Sequence, residues 1–293
     1  MKKIAVIGAG MMGAQIAQLF SQAGGYQVSI TDVKPEIVNN GLQFIRDNLK
    51  RFFVDKGKMT EADMSQITGR ITGTADFPAA VGGADFVIEA AFENLEVKKN
   101  IFRQLEESAA PGAILASNSS YLSISEMGSV TGRRDKVVGV HFFNPVAVMK
   151  LVEVVRGPLT SDATAEAVIA LVKQLGKEPV VCQDFSFGFL ANRAYGTMEL
   201  ECIQMVWERV AAPEEIDKAL KLGYNLPMGP LELGDFTGSW GLWALSEQDK
   251  MREVGPEKGH LHPLVRMMVR AGYPGGRGKK GIYDFYRDVL SKG

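Results

Sequence analysis

Three glycines near the start of the chain have the spacing of a phosphate cradle. Gly8, Gly10 and Gly13 form G-x-G-x-x-G directly after the apolar run Ile4-Ala5-Val6-Ile7. Gly8 permits a tight turn, Gly10 lets a backbone approach a pyrophosphate, and Gly13 allows a helix to pack close to a strand. The stretch Ala14–Ala23 is expected to be helical, so its N-terminal amides and dipole would face phosphate charge. A second β-rich run leads to Asp32, 22 residues after Gly10. A carboxylate there can accept hydrogen bonds from a ribose 2′-hydroxyl and would repel a 2′-phosphate. Lys2 to about Asp32 therefore predicts a βαβ unit that takes NAD rather than NADP.

His141 is one of three histidines and closes the run Val137-Val138-Gly139-Val140. That places it at the C-terminal end of a strand, where α/β sheets bind ligands. Glu153 sits in the next apolar run, Lys150-Leu151-Val152-Glu153-Val154-Val155, and a carboxylate so placed needs a partner. His141 can be that partner, because a His–Glu pair fixes the imidazole tautomer and suits a general base. On the residues alone, a structural hydrogen-bonded histidine is an equal alternative. Ser117-Asn118-Ser119-Ser120 follows Ala113-Ile114-Leu115-Ala116; these groups could bind a ligand or only cap the next helix. Asn192, in Gly188-Phe189-Leu190-Ala191-Asn192-Arg193, has the place of a helix-end residue. His260 and His262 flank Leu261 beside Pro263 and are expected in a surface loop. Lys50, Arg51, Lys56 and Lys58 gather at a helix end, as a solvated face or as a seat for a phosphate-bearing substrate.

The elements that must position these groups alternate through the first two thirds of the chain. Strands are expected at Lys3–Ile7, Gln27–Thr31, Phe86–Glu89, Ile114–Ala116, Val137–His141 and Leu151–Val155. Most are apolar without polar alternation, as in a parallel sheet covered by helices on both faces. Strands spaced by helices predict an α/β fold with a doubly wound, Rossmann-type domain over residues 1–184. Val38, Leu42, Ile45, Leu49 and Phe52 step by 4, 3, 4 and 3 residues along one helix face. Gly57 should end that helix, and Thr60 with Asp63 resembles a capping signal for a second, giving an inserted helical hairpin. Residues 185–293 show helical stretches punctuated by Pro213, Pro227, Pro230, Pro256 and Pro263, and predict a helical C-terminal domain.

With 293 residues, roughly two domains are expected. The formal net charge of -1 gives no global field for nucleic acid or an anionic membrane. Cys182 and Cys202 are expected to be buried thiols in a reducing compartment. The apolar run at the start is too short for a signal peptide or a span, so a cytoplasmic protein is expected.

Taken together, these segments resemble the 3-hydroxyacyl-CoA dehydrogenase family, and within it the short bacterial 3-hydroxybutyryl-CoA dehydrogenases. The resemblance covers nearly the whole chain. It is carried by Ile7–Gly13, Val87-Ile88-Glu89-Ala90-Ala91-Phe92-Glu93-Asn94, Leu115–Ser120, and above all His141-Phe142-Phe143-Asn144-Pro145 through Met149–Val154. Asp217-Lys218-Ala219, Pro227–Asp235 and Gly281-Ile282-Tyr283-Asp284-Phe285 extend it into the helical domain. The resemblance implies NAD-dependent, reversible oxidation of (S)-3-hydroxyacyl-CoA, with His141 as catalytic base oriented by Glu153. It implies that Ser120 and Asn192 bond the substrate oxygen. Gly8, Gly10, Met11, Met12, Gly13, Asp32, Glu93, Lys98, Ser120, Asn144 and Arg277 would contact NAD. Arg51 and Lys56 would meet the CoA phosphates, and the helical domain would complete the substrate cleft and form a homodimer. Two other readings are a dehydrogenase of another hydroxy acid and a non-catalytic NAD-binding module. The joint presence of His141, Glu153, Ser120 and Asn192 favours the enzyme.

Overall fold

The structure is a computed structural model that describes residues 1–185 and 187–292, the side chains of Glu253, Val254, Pro256 and Lys258 excepted. The chain divides into two units, Met1–Phe185 and Ser186–Gly293. The first unit carries strands β1 (Lys3–Ile7), β2 (Gln27–Thr31), β3 (Ile71–Thr74), β4 (Phe86–Glu89), β5 (Ile114–Ser117), β6 (Val137–Phe142), β7 (Leu151–Arg156) and β8 (Glu178–Gln183). Between them run α1 (Met11–Gly24), α2 (Pro35–Leu49), α3 (Glu61–Gly69), α4 (Phe77–Val81), α5 (Leu95–Ser108), α6 (Ile124–Gly128) and α7 (Asp162–Gln174). The strands form one sheet in the order β3-β2-β1-β4-β5-β6-β7-β8. β1 to β6 are parallel; β7 pairs antiparallel with β6, and β8 follows β7. Parallel strands share one C-terminal edge, so the loops after β1, β2, β4, β5 and β6 emerge on the same side. The central strands are closed to solvent on both faces, which is why Ile4, Val6, Phe86 and Ile88 read as unbroken apolar runs.

Two strands escape the sequence pattern, and both are sheet edges. In β3, Gly73 interrupts the run because α2 crowds it: a Cβ there would stand 2.5 Å from Val38 Cγ1. β8 contains Pro179, which an edge strand tolerates because one side of its ladder has no partner. The helical hairpin forms, with Val38, Ile45 and Leu49 buried and a reciprocal Thr60–Asp63 capping box opening α3. Phe52 departs from the expected face. After Leu49 the helix widens into a π-helical turn, Lys50–Val54, and Phe52 is 46% exposed.

The second unit is helical: α8 (Ala191–Trp207), α9 (Pro213–Tyr224), α10 (Pro230–Thr237), α11 (Ser239–Val254), α12 (Pro256–Gly259), α13 (Pro263–Arg270) and α14 (Ile282–Asp288). Pro213, Pro230, Pro256 and Pro263 each open a helix, where the missing N–H has no partner to lose. Ile203, Leu231, Trp240, Leu264, Met268 and Phe285 form its core. Two aspartates, the buried Asp217 and the half-buried Asp235, tie its motifs together. Asp217 of α9 accepts from the backbone N–H groups of Leu231 and Glu232 at the start of α10 (3.0 and 2.7 Å). Asp235 of α10 accepts from Ile282 N–H (2.6 Å), Tyr283 N–H (3.2 Å) and Trp240 Nε1–H (2.7 Å). The Tyr283 hydroxyl then donates back to Asp217 at 2.6 Å. His262 corrects an expectation: it is half-buried and caps α13, its Nδ1 accepting from Leu264 N–H and its Nε2 2.7 Å from Gln204. Cys182 and Cys202 are buried and unbridged.

Candidate active site

The glycine loop joins β1 to α1. Gly8 has φ +98° and presses on Ala90, whose carbonyl oxygen would lie 2.5 Å from a Cβ. At Gly13 a Cβ would stand 1.8 Å from the Gly8 carbonyl oxygen, so only glycine closes the turn. No side chain caps α1 and its first turn contains no acid, while a Cβ on Gly10 would meet nothing within 4 Å. The N-terminal amides therefore face open space, a fit for a pyrophosphate. Met11 is exposed beside them and Met12 partly buried. Asp32, just past β2, is partly exposed; its Oδ2 accepts from Ala9 N–H at 2.7 Å and its Oδ1 from Val33 N–H at 2.7 Å. It thus braces the loop, and each oxygen keeps a further lone pair for a ribose hydroxyl.

Past β4 and β5 lies a buried polar network. Glu89, closed to solvent, accepts from Lys98 Nζ (2.7 and 2.9 Å), Ser117 Oγ–H (2.6 Å) and Ala91 N–H (2.6 Å). Lys98 also meets Glu93 Oε2 at 3.1 Å. Burial by itself would lower the Lys98 pKa, but the charges of Glu89 and Glu93 outweigh it and hold the ammonium above the ordinary lysine value. Glu93 in turn accepts from the Ser119 hydroxyl and from Ser120 N–H at 2.9 Å. Ser120 is half-buried, and the cap of α6 is Ser123, so the Ser117–Ser120 turn is not a helix cap.

β6 and β7 hold the expected histidine–carboxylate pair. His141 and Glu153 are direct cross-strand partners, with Nδ1 2.7 Å from Oε2 and both residues buried. Phe143 lies against the imidazole, ring centroids 4.4 Å apart. Asn118 Oδ1 accepts from Phe142 N–H at 2.9 Å, joining the exit of β5 to the end of β6. The loop between β6 and β7 carries the exposed Asn144 and is held from two sides. Gln15 of α1 bonds Val146 N–H and Asn144, and the buried Lys177 donates to the carbonyls of Val146 (2.5 Å) and Met149 (2.8 Å). Burial lowers the Lys177 pKa.

The first unit thus gathers the glycine loop, Asp32, Glu93, Lys98, Ser120, His141, Glu153 and Asn144 at one edge of its sheet. Arg51 and Lys56 flank the exposed Phe52 ring, 5.3 and 5.9 Å from its centroid. Asn192, exposed in the first turn of α8, and Arg277, exposed in a glycine-rich loop, belong to the second unit. Sequence reasoning on spacing passed over Glu89, Gln15 and Lys177. Glu89 ends an apolar strand as Glu153 sits in one, so the same demand for a partner points to it.

Residues 3–185 match the family described as 3-hydroxyacyl-CoA dehydrogenase, NAD binding domain, and residues 188–285 match 3-hydroxyacyl-CoA dehydrogenase, C-terminal domain. A probable 3-hydroxybutyryl-CoA dehydrogenase of Bacillus subtilis is 44% identical over 285 residues, 97% of each chain. The 3-hydroxybutyryl-CoA dehydrogenase of Clostridioides difficile is 41% identical over 97% of this chain and 99% of its own. The crystal structure of (S)-3-hydroxybutyryl-CoA dehydrogenase from Ralstonia eutropha superposes with a TM-score of 0.89 at 38% identity, covering 96% of this chain and 98% of that one.

Proposed function

The chain belongs to the 3-hydroxyacyl-CoA dehydrogenase family, and we propose on that basis how its residues carry the reaction. It is an NAD-dependent oxidoreductase that interconverts short-chain (S)-3-hydroxyacyl-CoA, such as 3-hydroxybutyryl-CoA, and the 3-oxoacyl-CoA. The observation that carries the mechanism is the His141–Glu153 pair. The carboxylate holds the imidazole proton on Nδ1, so the lone pair on Nε2 takes the 3-hydroxyl proton. As the ring becomes imidazolium, the adjacent carboxylate offsets its charge. A bound NAD would supply the acceptor for the hydride that leaves C3. In the reverse direction His141 returns the proton to the carbonyl oxygen.

Ser120 and Asn192 orient the reacting oxygen by hydrogen bonds. The amides of Gly10, Met11 and Met12 hold the pyrophosphate on the turn made by Gly8 and Gly13, and Asp32 accepts from the ribose. Glu93 and Asn144 present polar groups to the nucleotide, and Lys98 acts on it through Glu93. Arg277 is a cofactor contact from the second unit. Arg51 and Lys56 pair with the phosphates of CoA, beside the exposed Phe52 ring. In the second unit Leu222, Tyr224 and Leu245 are each more than three-quarters exposed, which suits a homodimer contact made by that unit. The bacterial relatives and the unbridged thiols support a cytoplasmic enzyme. No described helix is long and apolar enough to cross a membrane.

The test is NADH oxidation with acetoacetyl-CoA, longer 3-oxoacyl-CoA thioesters and a free 3-oxo acid. Acetoacetyl-CoA should turn over best and the free acid barely. Equal kcat/KM for the free acid would remove the CoA contacts from the reading.

A further inference from the structure

A side-chain amide can face either way, because its oxygen accepts, its nitrogen donates, and the two ends have the same shape. At Asn144 that choice is closed by a backbone group two residues along. The Val146 N–H donates to Gln15 Oε1 at 3.0 Å. A backbone N–H can only donate, so Gln15 must turn its oxygen to Val146 and its nitrogen to the other side. There Gln15 Nε2 donates to Asn144 Oδ1 at 3.1 Å. Asn144 must then turn its oxygen toward Gln15, and its two Nδ2–H donors point away from Gln15. Gln15 is buried and Asn144 is exposed, so the enforcing end is fixed and the enforced end is accessible.

We propose that Gln15 is a positioning residue that sets the polarity of Asn144, making it a hydrogen-bond donor toward an acceptor oxygen of the bound nicotinamide nucleotide. The inference rests on the assignment of Asn144 to the cofactor made above. Gln15 stands two residues beyond Gly13 on α1. The helix whose first turn faces the pyrophosphate therefore also aims Asn144, and one rigid element aligns two contacts to the same ligand. Lys177 supports this from below, since its bonds to the carbonyls of Val146 and Met149 keep the Val146 N–H in place.

The experiment is titration of NADH by fluorescence, with steady-state KM and kcat, on four variants. Gln15→Glu still accepts from Val146 N–H but offers a second oxygen to Asn144, which must turn its nitrogen inward and its oxygen outward. An acceptor then faces an acceptor, and the NADH Kd should rise about tenfold or more while kcat stays within about twofold. Gln15→Met removes both bonds and leaves Asn144 able to turn either way, so a smaller rise of about threefold is expected. Asn144→Asp keeps an oxygen for Gln15 but replaces the donor, and should weaken NADH more than Asn144→Ala. That ordering should persist at high salt, where a general charge effect is screened. Because position 144 is exposed, the Asn144 pair carries the test even if Gln15→Glu fails to fold. A merely structural Gln15 would lower Tm equally in both of its variants and leave their NADH affinities alike. Gln15→Glu binding NADH as tightly as Gln15→Met, or Asn144→Asp as tightly as Asn144→Ala, overturns the proposal. Wild-type affinity in Asn144→Ala overturns the assignment of Asn144 to the cofactor, and the inference with it.

Discussion

A carboxylate enclosed by an apolar strand must find hydrogen-bond donors, and two such groups organise this enzyme. Glu153 finds His141; Glu89 finds Lys98, Ser117 and a backbone amide. The first pair is expected to be chemical. His141→Ala should lower kcat by about 10² to 10⁴, the range for loss of a general base, and near-wild-type turnover would sink the mechanism. Glu153→Gln should fold but turn over poorly, and normal activity there would take Glu153 out of it. Asp32 allows a separate expectation. Its charge should favour NADH over NADPH in kcat/KM by at least about tenfold, equivalent to roughly 1.4 kcal/mol of repulsion. Because Asp32 also braces Ala9 N–H, Asp32→Ala should lose affinity for both nucleotides as well as the preference. Assays of wild type and variant with the two nucleotides check this, and equal kcat/KM in the wild type would overturn the NAD assignment. His141, Glu153 and Asp32 were legible because each stands out from an apolar run. Gln15 and Lys177 were not, because each holds main-chain groups of a loop far away in sequence, and main-chain groups leave no residue signature.

Among the elements, the six strands found by pattern are the ones buried along most of their length. β3 and β8 are largely exposed edge strands, so their residues carry less apolar signal, and Pro179 further breaks β8 where an edge admits it. The π-helical turn after α2 was hidden for another reason: a heptad-like step from Val38 to Leu49 extrapolates to Phe52 only if the helix keeps its period. The widened turn leaves Phe52 outward between Arg51 and Lys56, where the sequence alone had placed it inward. At this scale Lys177 is the test of the β6–β7 loop. Lys177→Met keeps most of the stem and leaves the Val146 and Met149 carbonyls without that donor, at a cost of about 1–3 kcal/mol. Thermal melts should show a loss of a few degrees, and the KM for NADH should rise while the ladder-held His141–Glu153 pair maintains kcat. An unchanged melt would mean the loop is secured by other bonds.

For the molecule as a whole, the two units differ in what holds them. The first is a sheet with its site at one edge; the second is closed by the circuit from Asp217 to α10, Asp235 to α14 and Tyr283 back to Asp217. That circuit joins three of the segments that carried the family resemblance, so there the recognisable sequence is a capping scheme rather than chemistry. Beside it, Glu199 is buried, and burial first, with the charge of Asp217 second, pushes its carboxyl up to about 8. The unfolded chain ionises it near its ordinary value of 4.5. Below that value both states hold the proton. Between about 4.5 and 8 the unfolded chain releases it while the folded protein keeps it, so stability falls as pH rises through that window. Glu199→Gln cannot ionise, so its Tm should stay flatter from about pH 5 to about pH 8 than the wild type's. Parallel melting curves would show that Glu199 contributes nothing to that slope. The antiparallel pairing of β6 with β7 has a last consequence, for inheritance. Facing alternates along a strand, so losing or gaining one codon in the connecting loop would slip the register and turn Glu153 to the opposite side of the sheet. A lineage could silence this enzyme without changing a single catalytic residue, simply by altering the length of one turn.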